Sequence, residues 1–482
     1  MRSLLVALLL ALVLAAPATA AENTQWLSYG HDNQLTNAIT SKALTAASVR
    51  RLDTSWVTRL DGTIYASPLA TMVDGREVVF AATERGSVYA LAANDGRVLW
   101  HQTLGTVVTP GCGTYGITST GAIDTKRGLL YVISADGELN AFALSSGLEP
   151  PGFPLTIVTN TLYEYVWGGL RIAHDRLYVG VASYCDEGPE GDQFPDGRLV
   201  AIPLANPGAA TAWEPVPGPG NLGGIWGWGG VSVDPATGDV YTGIGNSHSF
   251  SAACSCDVDD AGYGDQMVEL SPDLSSVLGS DSVELPVTGD YDFGAAPLLF
   301  QPKGCPPLAA ANNKIGSLYI WNRTDLGAGP IASIPLGDGL AAFIGSPSWS
   351  EANQTIYDAE AVLFGGGKRL GNGVQALKVE PGCTFRKTWA VPVGDGNQAT
   401  PLVVGDVVFA TGGKPGGFAA FGAANGAHLW AAPTAGRTVA AMISVGGAVI
   451  GADTDGLVYA FRPPAAPPRS PPSPPTSWRR LG

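Results

Sequence analysis

Three segments in the middle of the chain carry side chains suited to metal-assisted or redox chemistry. An indole face can stack on a flat ring system, and an amide oxygen can bind a hard cation. A carboxylate beside a metal can take a proton from a hydroxyl group, and an ammonium group can stabilise charge that develops on a carbonyl oxygen. The segments are IWGWGGVSVDPATGDVYTGIGNS (225–247), GDYDFGAAPLLF (289–300) and ANNKIGSLYIWNR (311–323), with Trp226, Trp228, Asn246, Asp290, Asp292 and Lys314 as candidates. The competing interpretation is structural: packing tryptophans, turn-forming Asn and Asp, and a surface lysine at a hairpin tip.

The elements that must position these side chains belong to an internal repeat. ALAANDGRVLW (90–100) lines up with AFGAANGAHLW (420–430), and each indicates a strand, an Asn-containing turn and a strand that ends in tryptophan. The same inner-strand register recurs at eight anchors that lie 40 to 68 residues apart, which is the range of four-stranded propeller blades. The anchors are Ala90, Ala141, Ala201, Glu269, Ile320, Ala376, Ala420 and Ala460.

The two ends of the repeat array predict how the ring closes. The eighth repeat stops at Arg462 without a strand that ends in tryptophan, whereas LDTSWVTRL (52–60), centred on Trp56, precedes the first repeat and has no partner. We therefore expect the early strand to complete the last blade, which removes the exposed edges of an open array. The predicted fold is all-β, an eight-bladed β-propeller that forms one domain over residues 21–463.

The chain termini predict export and a disordered tail. An apolar run follows Arg2 and leads to Ala18-Thr19-Ala20, which is typical of a signal peptide over residues 1–20. We expect a periplasmic or extracellular protein that does not span the membrane, since no other segment is long and apolar enough. The proline-rich residues 464–482 predict an extended, disordered tail.

Charge and cysteine content narrow the partners further. The net charge of −15, without a basic stripe, argues against nucleic acid as a partner. The six cysteines of an exported chain favour disulfides, although their pairing stays open. They are Cys112, Cys185, Cys254, Cys256, Cys305 and Cys383.

The repeat also resembles a known family. GSVYALAANDGRVLW (86–100) is similar to the tryptophan-docking repeat of quinoprotein alcohol dehydrogenases and their relatives, including polyvinyl-alcohol dehydrogenase. WLSYGHDNQLTN, from Trp26, resembles the usual start of that family, and the resemblance extends to about residue 463. It implies a PQQ-binding-like β-propeller, although related propellers of the BamB type are scaffolds without catalysis.

The resemblance assigns roles to the candidate residues. It implies that Trp228 is the floor beneath pyrroloquinoline quinone (PQQ), with Trp226 as the alternative, and that Asn246 is a metal ligand. Asp290 takes the place of the catalytic base, and Asp292 that of the extra metal ligand found in lanthanide-using members. A shifted register would make Asp292 the base instead. Lys314 would hydrogen-bond the reactive carbonyl of the quinone.

Departures from the family pattern weaken parts of this site. Only Cys112 stands where the family often has two adjacent cysteines followed by an arginine. In the strict register, the family's metal-binding glutamate would fall on Cys185, which is not acidic. The candidates beside it are Asp186 and Glu187, and the role is assigned to Glu187. Gly289 replaces a tryptophan of the family before Asp290.

The resemblance implies a PQQ-dependent dehydrogenase that uses calcium or a lanthanide. Its substrate would be the hydroxyl group of a sugar or of a small or polymeric alcohol. The sequence lacks a CxxCH haem motif, so electrons would pass to an external acceptor such as a cytochrome c. The alternative is a non-catalytic exported propeller that binds protein or carbohydrate.

Overall fold

Short apolar and β-branched runs, separated by turns that contain glycine, asparagine or aspartate, form the strands. The first hairpin illustrates the rule: Val78, Val79 and Phe80 are all buried on a strand that follows the turn Asp74-Gly75. Both turn residues have positive φ, 49° and 76°, which is the geometry of a two-residue hairpin turn that matches strand twist.

A computed structural model describes residues 22–109, 112–184, 195–218, 220–247, 249–251, 256–258, 261–285, 291–336, 345–361, 372–394, 399–412 and 416–464. These residues form an eight-bladed β-propeller, as predicted. The predicted signal peptide and almost all of the predicted tail lie outside the described residues.

Each blade is an antiparallel sheet of four strands in sequence order, apart from blade 8. Blade 1 contains Leu69–Val73, Arg76–Ala82, Ser87–Ala92 and Val98–Thr103. Blade 2 contains Ala122–Asp124, Leu129–Ile133, Glu138–Ala143 and Leu155–Thr156. Blade 3 contains Arg171–Ala173, Arg176–Ser183, Arg198–Pro203 and Thr211–Trp213, with Glu164–Tyr165 added beside its second strand. Blade 4 contains Ser232–Val233, Val240–Gly243, Met267–Leu270 and Val277–Asp281.

The second half of the ring repeats this arrangement. Blade 5 contains Leu298–Phe300, Leu308–Asn313, Ser317–Asn322 and Pro330–Pro335. Blade 6 contains Ser348–Ser350, Thr355–Ala361, Asn372–Glu380 and Thr384–Pro392. Blade 7 contains Leu402–Val404, Val407–Gly412, Gly417–Gly422 and His428–Pro433. Blade 8 contains Ile443–Val445, Ala448–Ala452, Leu457–Arg462 and the early strand Asp53–Arg59.

Few elements lie outside the blades. They are the hairpins Val107–Thr109 with Gly113–Tyr115 and Ser249–Ser251 with Cys256–Val258, the helix Ala46–Val49, and the 3₁₀ turns Pro207–Ala209 and Leu326–Ala328. The short strand Ala38–Ile39 pairs parallel with Leu402–Val404 and adds a fifth strand to blade 7. No helix in the described part of the chain is long and apolar enough to cross a membrane.

The ring closes as predicted. Asp53–Arg59 pairs antiparallel with Leu457–Arg462, the third strand of blade 8, and Trp56 lies opposite Ala460. A disulfide between Cys305 and Cys383 also links blade 5 to blade 6.

The repeated tryptophans join neighbouring blades. All eight anchor residues lie on third strands, and Ala90 faces Trp100 on the adjacent strand. The indole N–H of Trp100 donates a 2.9 Å hydrogen bond to the carbonyl of Leu144 in blade 2. Trp56 and Trp389 make equivalent bonds, each to the blade that follows it around the ring. Each docking tryptophan therefore buries its ring and satisfies its polar N–H at once.

The opening motif forms a strap across the inner strands. Residues 23–39, here called the N-terminal strap, make backbone hydrogen bonds to the innermost strands of most blades; partners include Ala70, Ile123, Val233, Leu299, Trp349 and Val403. Arg171 of blade 3 is fully buried and donates to the carbonyls of Tyr29 and Asp32, both at 2.8 Å. Its burial lowers the pKa of Arg171 to about 10. Tyr29 and Leu35 of the strap form a buried cluster against which Trp228 packs.

Candidate functional site

A cavity of about 310 Å³ opens between blades 3, 4 and 5. Its volume falls at the lower end of the roughly 300–1,000 Å³ of small-molecule sites. Five of the residues that the sequence singled out line it: Trp226, Trp228, Asn246, Asp292 and Lys314. The cavity therefore joins side chains from all three candidate segments.

Backbone hydrogen bonds hold Asp292 between blades 4 and 5. The N–H of Phe293 donates to the carbonyl of Ile244, which follows the second strand of blade 4. The N–H of Lys314, in the hairpin of blade 5, donates to the carbonyl of Asp292 at 3.0 Å. Asn313 donates its amide to the carbonyl of Tyr291 at 2.5 Å. The carboxylate thus sits on a segment anchored at both sides.

The carboxylate of Asp292 has a partner on each oxygen. The indole N–H of Trp226 donates to Oδ2 at 2.8 Å, and Nζ of Lys314 lies 2.8 Å from Oδ1. Asp292 is 1% exposed, and the Lys314 side chain is 12% exposed. Nζ of Lys314 also lies 4.6 Å from the centroid of the Trp226 ring, in cation–π contact. The three side chains form one compact charge-balanced unit.

The two tryptophans of the first segment have different surroundings. The indole N–H of Trp226 donates a hydrogen bond to Asp292, and the ammonium of Lys314 lies over the Trp226 ring. Trp228 instead packs on the strap cluster and meets Tyr65 edge-on, with ring centroids 6.1 Å apart. Because Lys314 occupies a face of Trp226, Trp228 offers the better stacking surface for a flat ligand.

Asn246 reaches the cavity through a glycine-containing turn. Its carbonyl accepts a 2.7 Å hydrogen bond from the N–H of Gly223. A Cβ at Gly245 would lie 3.2 Å from both Oδ2 of Asp292 and Cδ1 of Trp226. Glycine therefore permits the close approach that places Asn246 beside the carboxylate.

Of the three other candidates, only Cys112 lies among the described residues. Asp290 and Glu187 lie outside the described residues. Cys112 is disulfide-bonded and packs with Tyr165 and Tyr184, but it is not among the residues that line the cavity. Over the described ranges, no group of three His, Cys, Asp or Glu side chains could hold a metal ion. The two predicted metal ligands that line the cavity are Asp292 and Asn246.

The sequence analysis missed an aromatic wall on the blade 3 side of the cavity. Trp167 and Tyr184 line the cavity, and Tyr115 and Tyr165 pack behind them. The indole N–H of Trp167 donates to the carbonyl of Ser183 at 2.6 Å. The closely spaced aromatic residues Tyr165 and Trp167 in YEYVWGG were the available signal; Tyr165 ends the short strand Glu164–Tyr165, and Trp167 follows it.

A half-buried carboxylate, that of Glu84, supports this wall from behind. Glu84 accepts hydrogen bonds from the N–H of Gly116, at 2.9 Å, and from the hydroxyl of Thr118. Thr118 also bonds the hydroxyl of Tyr165 at 2.7 Å. Burial raises the pKa of Glu84, and burial, with the nearby Glu84 charge, raises that of Tyr165.

Solved structures with the same fold include alcohol dehydrogenases and BamB. The quinohemoprotein alcohol dehydrogenase from Comamonas testosteroni superimposes with a TM-score of 0.72 and 18% identity, over 92% of this chain and 81% of that one. A europium-containing methanol dehydrogenase gives 0.70 and 16%, over 91% and 98%. BamB from Moraxella catarrhalis gives 0.57 and 14%, over 85% and 99%. At these identities the likeness shows a shared fold. Comparison with curated protein sequences gave no match.

A family model also matches the chain. It is the PQQ-type repeat model described as outer membrane protein assembly factor BamB, and it matches residues 31–206 and 383–464. The matched parts include the tryptophan-docking repeats of blades 1, 2 and 7, and leave out the segments that carry Trp226, Asn246, Asp292 and Lys314. Because the match covers more than half of the sequence, this chain belongs to the family of PQQ-type β-propeller repeat proteins.

Proposed function

We propose that this protein is an exported PQQ-dependent dehydrogenase that oxidises a hydroxyl group and passes the electrons to a separate acceptor, such as a cytochrome c. The observation that carries the proposal is the convergence of Trp228, Asn246, Asp292 and Lys314 on one cavity. These residues come from segments that the family model does not match. The propeller fold by itself does not require these four side chains to line one cavity.

The chemistry of the cavity fits the proposed cofactor and its metal. The indole face of Trp228 suits a flat tricyclic ring, and the ammonium of Lys314 suits a carbonyl that gains charge on reduction. Oxygens of Asp292 and Asn246 are the hard ligands that calcium or a lanthanide prefers. Bound PQQ would supply the two-electron acceptor for oxidation of the substrate.

The protein's own side chains would supply the base, hold it in position and exclude water. Oδ1 of Asp292 is the atom suited to take the hydroxyl proton, because Oδ2 already accepts the indole N–H of Trp226. Lys314 would exchange its contact with Oδ1 for one with the cofactor carbonyl, and that exchange frees the base. Trp226 holds the carboxylate in place while Lys314 moves. The wall of Trp167 and Tyr184 excludes water from the opposite side of the cavity.

The test measures cofactor binding before activity. Purified mature protein is mixed with micromolar PQQ and calcium, desalted, and scored for retained cofactor by absorbance and by quenching of tryptophan fluorescence. We expect retention in the wild type and in Lys387→Ala, which removes an exposed lysine of blade 6. Lys314→Ala and Asn246→Ala should lose it. Alcohol-dependent reduction of a dye then reports turnover over a panel of alcohols and sugars.

The second candidate function is a non-catalytic propeller that binds protein or carbohydrate. The family model, which is described by the scaffold protein BamB and matches blades 1, 2 and 7, favours it. Failure of the wild type to retain PQQ at micromolar concentration would reject the dehydrogenase and leave this alternative.

A further inference from the structure

Leu222, one of the residues that line the site cavity, has a left-handed backbone. Its φ is 62°, a conformation that glycine adopts freely and that a leucine adopts only at a cost in free energy. Gly220 and Gly223, close to it on either side, both have φ of 75°. A leucine therefore stands in a glycine-rich loop, at a position where glycine would be the unstrained residue.

Backbone hydrogen bonds to two blades hold Leu222 in this conformation. Its N–H donates to the carbonyl of Pro195 at 3.1 Å, and its carbonyl accepts from the N–H of Gly197 at 2.8 Å. These bonds pair Leu222 with Asp196, just before the third strand of blade 3, and an antiparallel bridge pairs it with Ser247, beyond the second strand of blade 4. Because backbone groups make these contacts, the strain of the leucine is imposed by its surroundings.

Two other leucines of the described chain also have φ of 62°, but core packing offsets their strain. Leu35 is 0% exposed and belongs to the strap cluster, and Leu274 is 4% exposed and belongs to the core between blades 3 and 4. Leu222 is half-buried, and no hydrophobic cluster found among the described residues includes it. Its side chain faces the cavity instead.

The corner of the cavity that contains Leu222 is apolar. Pro195 and Ala182 also line it, and an alkyl or aryl group placed against these side chains is favoured by the hydrophobic effect. A sugar or polyol would bring hydroxyl groups against them, and a hydroxyl buried without a hydrogen-bond partner is costly. The N–H of Gly223 donates to the carbonyl of Asn246 at 2.7 Å, so this corner adjoins the predicted metal ligand.

We propose that Leu222 is a specificity-determining residue, a role that rests on the proposed dehydrogenase function, and that it selects alcohols whose hydroxyl group is carried by an apolar alkyl or aryl chain. Contact with that chain would bury the leucine side chain and thereby offset the strain of its backbone. The leucine is retained at a glycine-type position because this contact forms when substrate binds.

The experiment compares two alcohols of equal chain length. The mature protein is loaded with PQQ and calcium, and kcat/KM for dye reduction is measured with butan-1-ol and with butane-1,4-diol. We expect the wild type to favour butan-1-ol. Leu222→Asn keeps the size of the side chain, suits a left-handed backbone and removes the apolar surface, so it should lower the butanol-to-diol ratio at least about tenfold. Leu222→Met keeps an apolar side chain and should preserve the preference.

Stability without cofactor provides an independent measurement. Leu222→Gly should leave the urea unfolding midpoint nearly unchanged, because relief of strain offsets the loss of a half-buried side chain. Leu274→Gly, at the same φ, removes a core side chain and should lower the midpoint clearly but keep the butanol-to-diol ratio. Equal losses of stability would mean that Leu222 is retained for packing and would overturn the proposal.

The kinetic outcomes separate this inference from the proposed function. A loaded wild type that does not favour butan-1-ol, or a Leu222→Asn variant with the wild-type ratio, would overturn the role of Leu222 and leave the dehydrogenase in place. A wild type that retains no PQQ would reject both.

Discussion

The indole N–H of Trp226 donates a 2.8 Å hydrogen bond to Oδ2 of Asp292, on the side of the carboxylate away from Lys314. Under the proposed function, Trp226 is thereby a positioning residue for Asp292, and Trp228 forms the floor beneath the cofactor. The relationship also explains how a carboxylate that is 1% exposed keeps a fixed orientation. It permits a prediction that separates the two tryptophans.

Replacing Trp226 with phenylalanine keeps an aromatic ring but removes the donor. Hydrogen bonds to charged groups contribute about 1.5–3 kcal/mol, so we expect the free energy of unfolding to fall by that amount. PQQ-dependent turnover should fall at least tenfold, with a smaller change in cofactor retention. Chemical denaturation and a dye-reduction assay measure the two effects.

Trp213→Phe is the matched control for this substitution. Trp213 is a half-buried indole on the outer strand of blade 3 that packs against Tyr263, so it reports the loss of ring size without loss of a bond to Asp292. If Trp226→Phe and Trp213→Phe behave alike in both assays, Trp226 has no special role.

The ion pair between Lys314 and Asp292 predicts strong energetic coupling even without cofactor. Lys314→Met removes the ammonium that lies 2.8 Å from Oδ1 of the buried Asp292, and breaking a buried ion pair typically costs about 3–5 kcal/mol. The double variant Lys314→Met with Asp292→Asn should recover much of that loss, because it removes both charges of the pair. Urea unfolding of the four members of this cycle gives the coupling free energy.

An exposed ion pair serves as the control for the effect of Lys314→Met on stability. Arg386 and Glu380 form a pair with side chains 63% and 34% exposed, and exposed pairs contribute about 0–1 kcal/mol. Arg386→Met should therefore change stability little. A Lys314→Met effect no larger than the Arg386→Met effect would show that Asp292 is not charged in the folded protein.

Most of the fold could be predicted because the same third-strand pattern recurs in all eight repeats, although their lengths vary. Counting third-strand anchors left the strand around Trp56 without a blade, and that surplus strand indeed pairs with Leu457–Arg462. The strap was different. Its hydrogen bonds to the innermost strands of successive blades join backbone groups, which any sequence carries, so residue types alone could not reveal its path.

The candidate site was predicted as a set of residues, but their mutual contacts were not. Trp226 and Asp292 are 66 positions apart, and only the packing of blades 4 and 5 brings them into contact. The sequence did not reveal the aromatic wall, because core packing explains tyrosine and tryptophan in such segments equally well. The assignments of Asp290 and Glu187 remain predictions.

The tryptophan-docking contact depends on a glycine in the following blade. Gly147 has φ of 71°, and a Cβ there would lie 2.7 Å from the Trp100 ring. Gly147→Ala should therefore add an overpacking cost of about 1–3 kcal/mol to the cost of a left-handed backbone. Gly128 has nearly the same φ, 70°, with nothing within 4 Å of its Cβ position. Gly128→Ala should show only the backbone cost of about 1–2 kcal/mol; equal losses on urea unfolding would mean that the docking contact tolerates a methyl group.

Glu84, behind the aromatic wall, predicts a specific dependence of stability on pH. Burial raises the pKa of Glu84 above its ordinary value of 4.5, so between 4.5 and the raised value the folded state binds a proton that the unfolded state does not. Its contribution is thus fully present below pH 4.5 and is lost as pH rises through the folded-state pKa. Glu84→Gln removes this titration but keeps an oxygen for the N–H of Gly116.

We therefore expect wild-type stability to decline relative to Glu84→Gln as the pH is raised from 4.5, and the difference to level off once Glu84 is ionised in both states. Urea unfolding midpoints between pH 4 and pH 8 measure it. Glu351→Gln, at an exposed position of blade 6, tests whether loss of any carboxylate has this effect, and its curve should run parallel to that of the wild type. A parallel curve for Glu84→Gln as well would mean that the Thr118 hydroxyl and the Gly116 N–H offset burial fully, leaving Glu84 ionised as readily in the folded protein as in the unfolded chain.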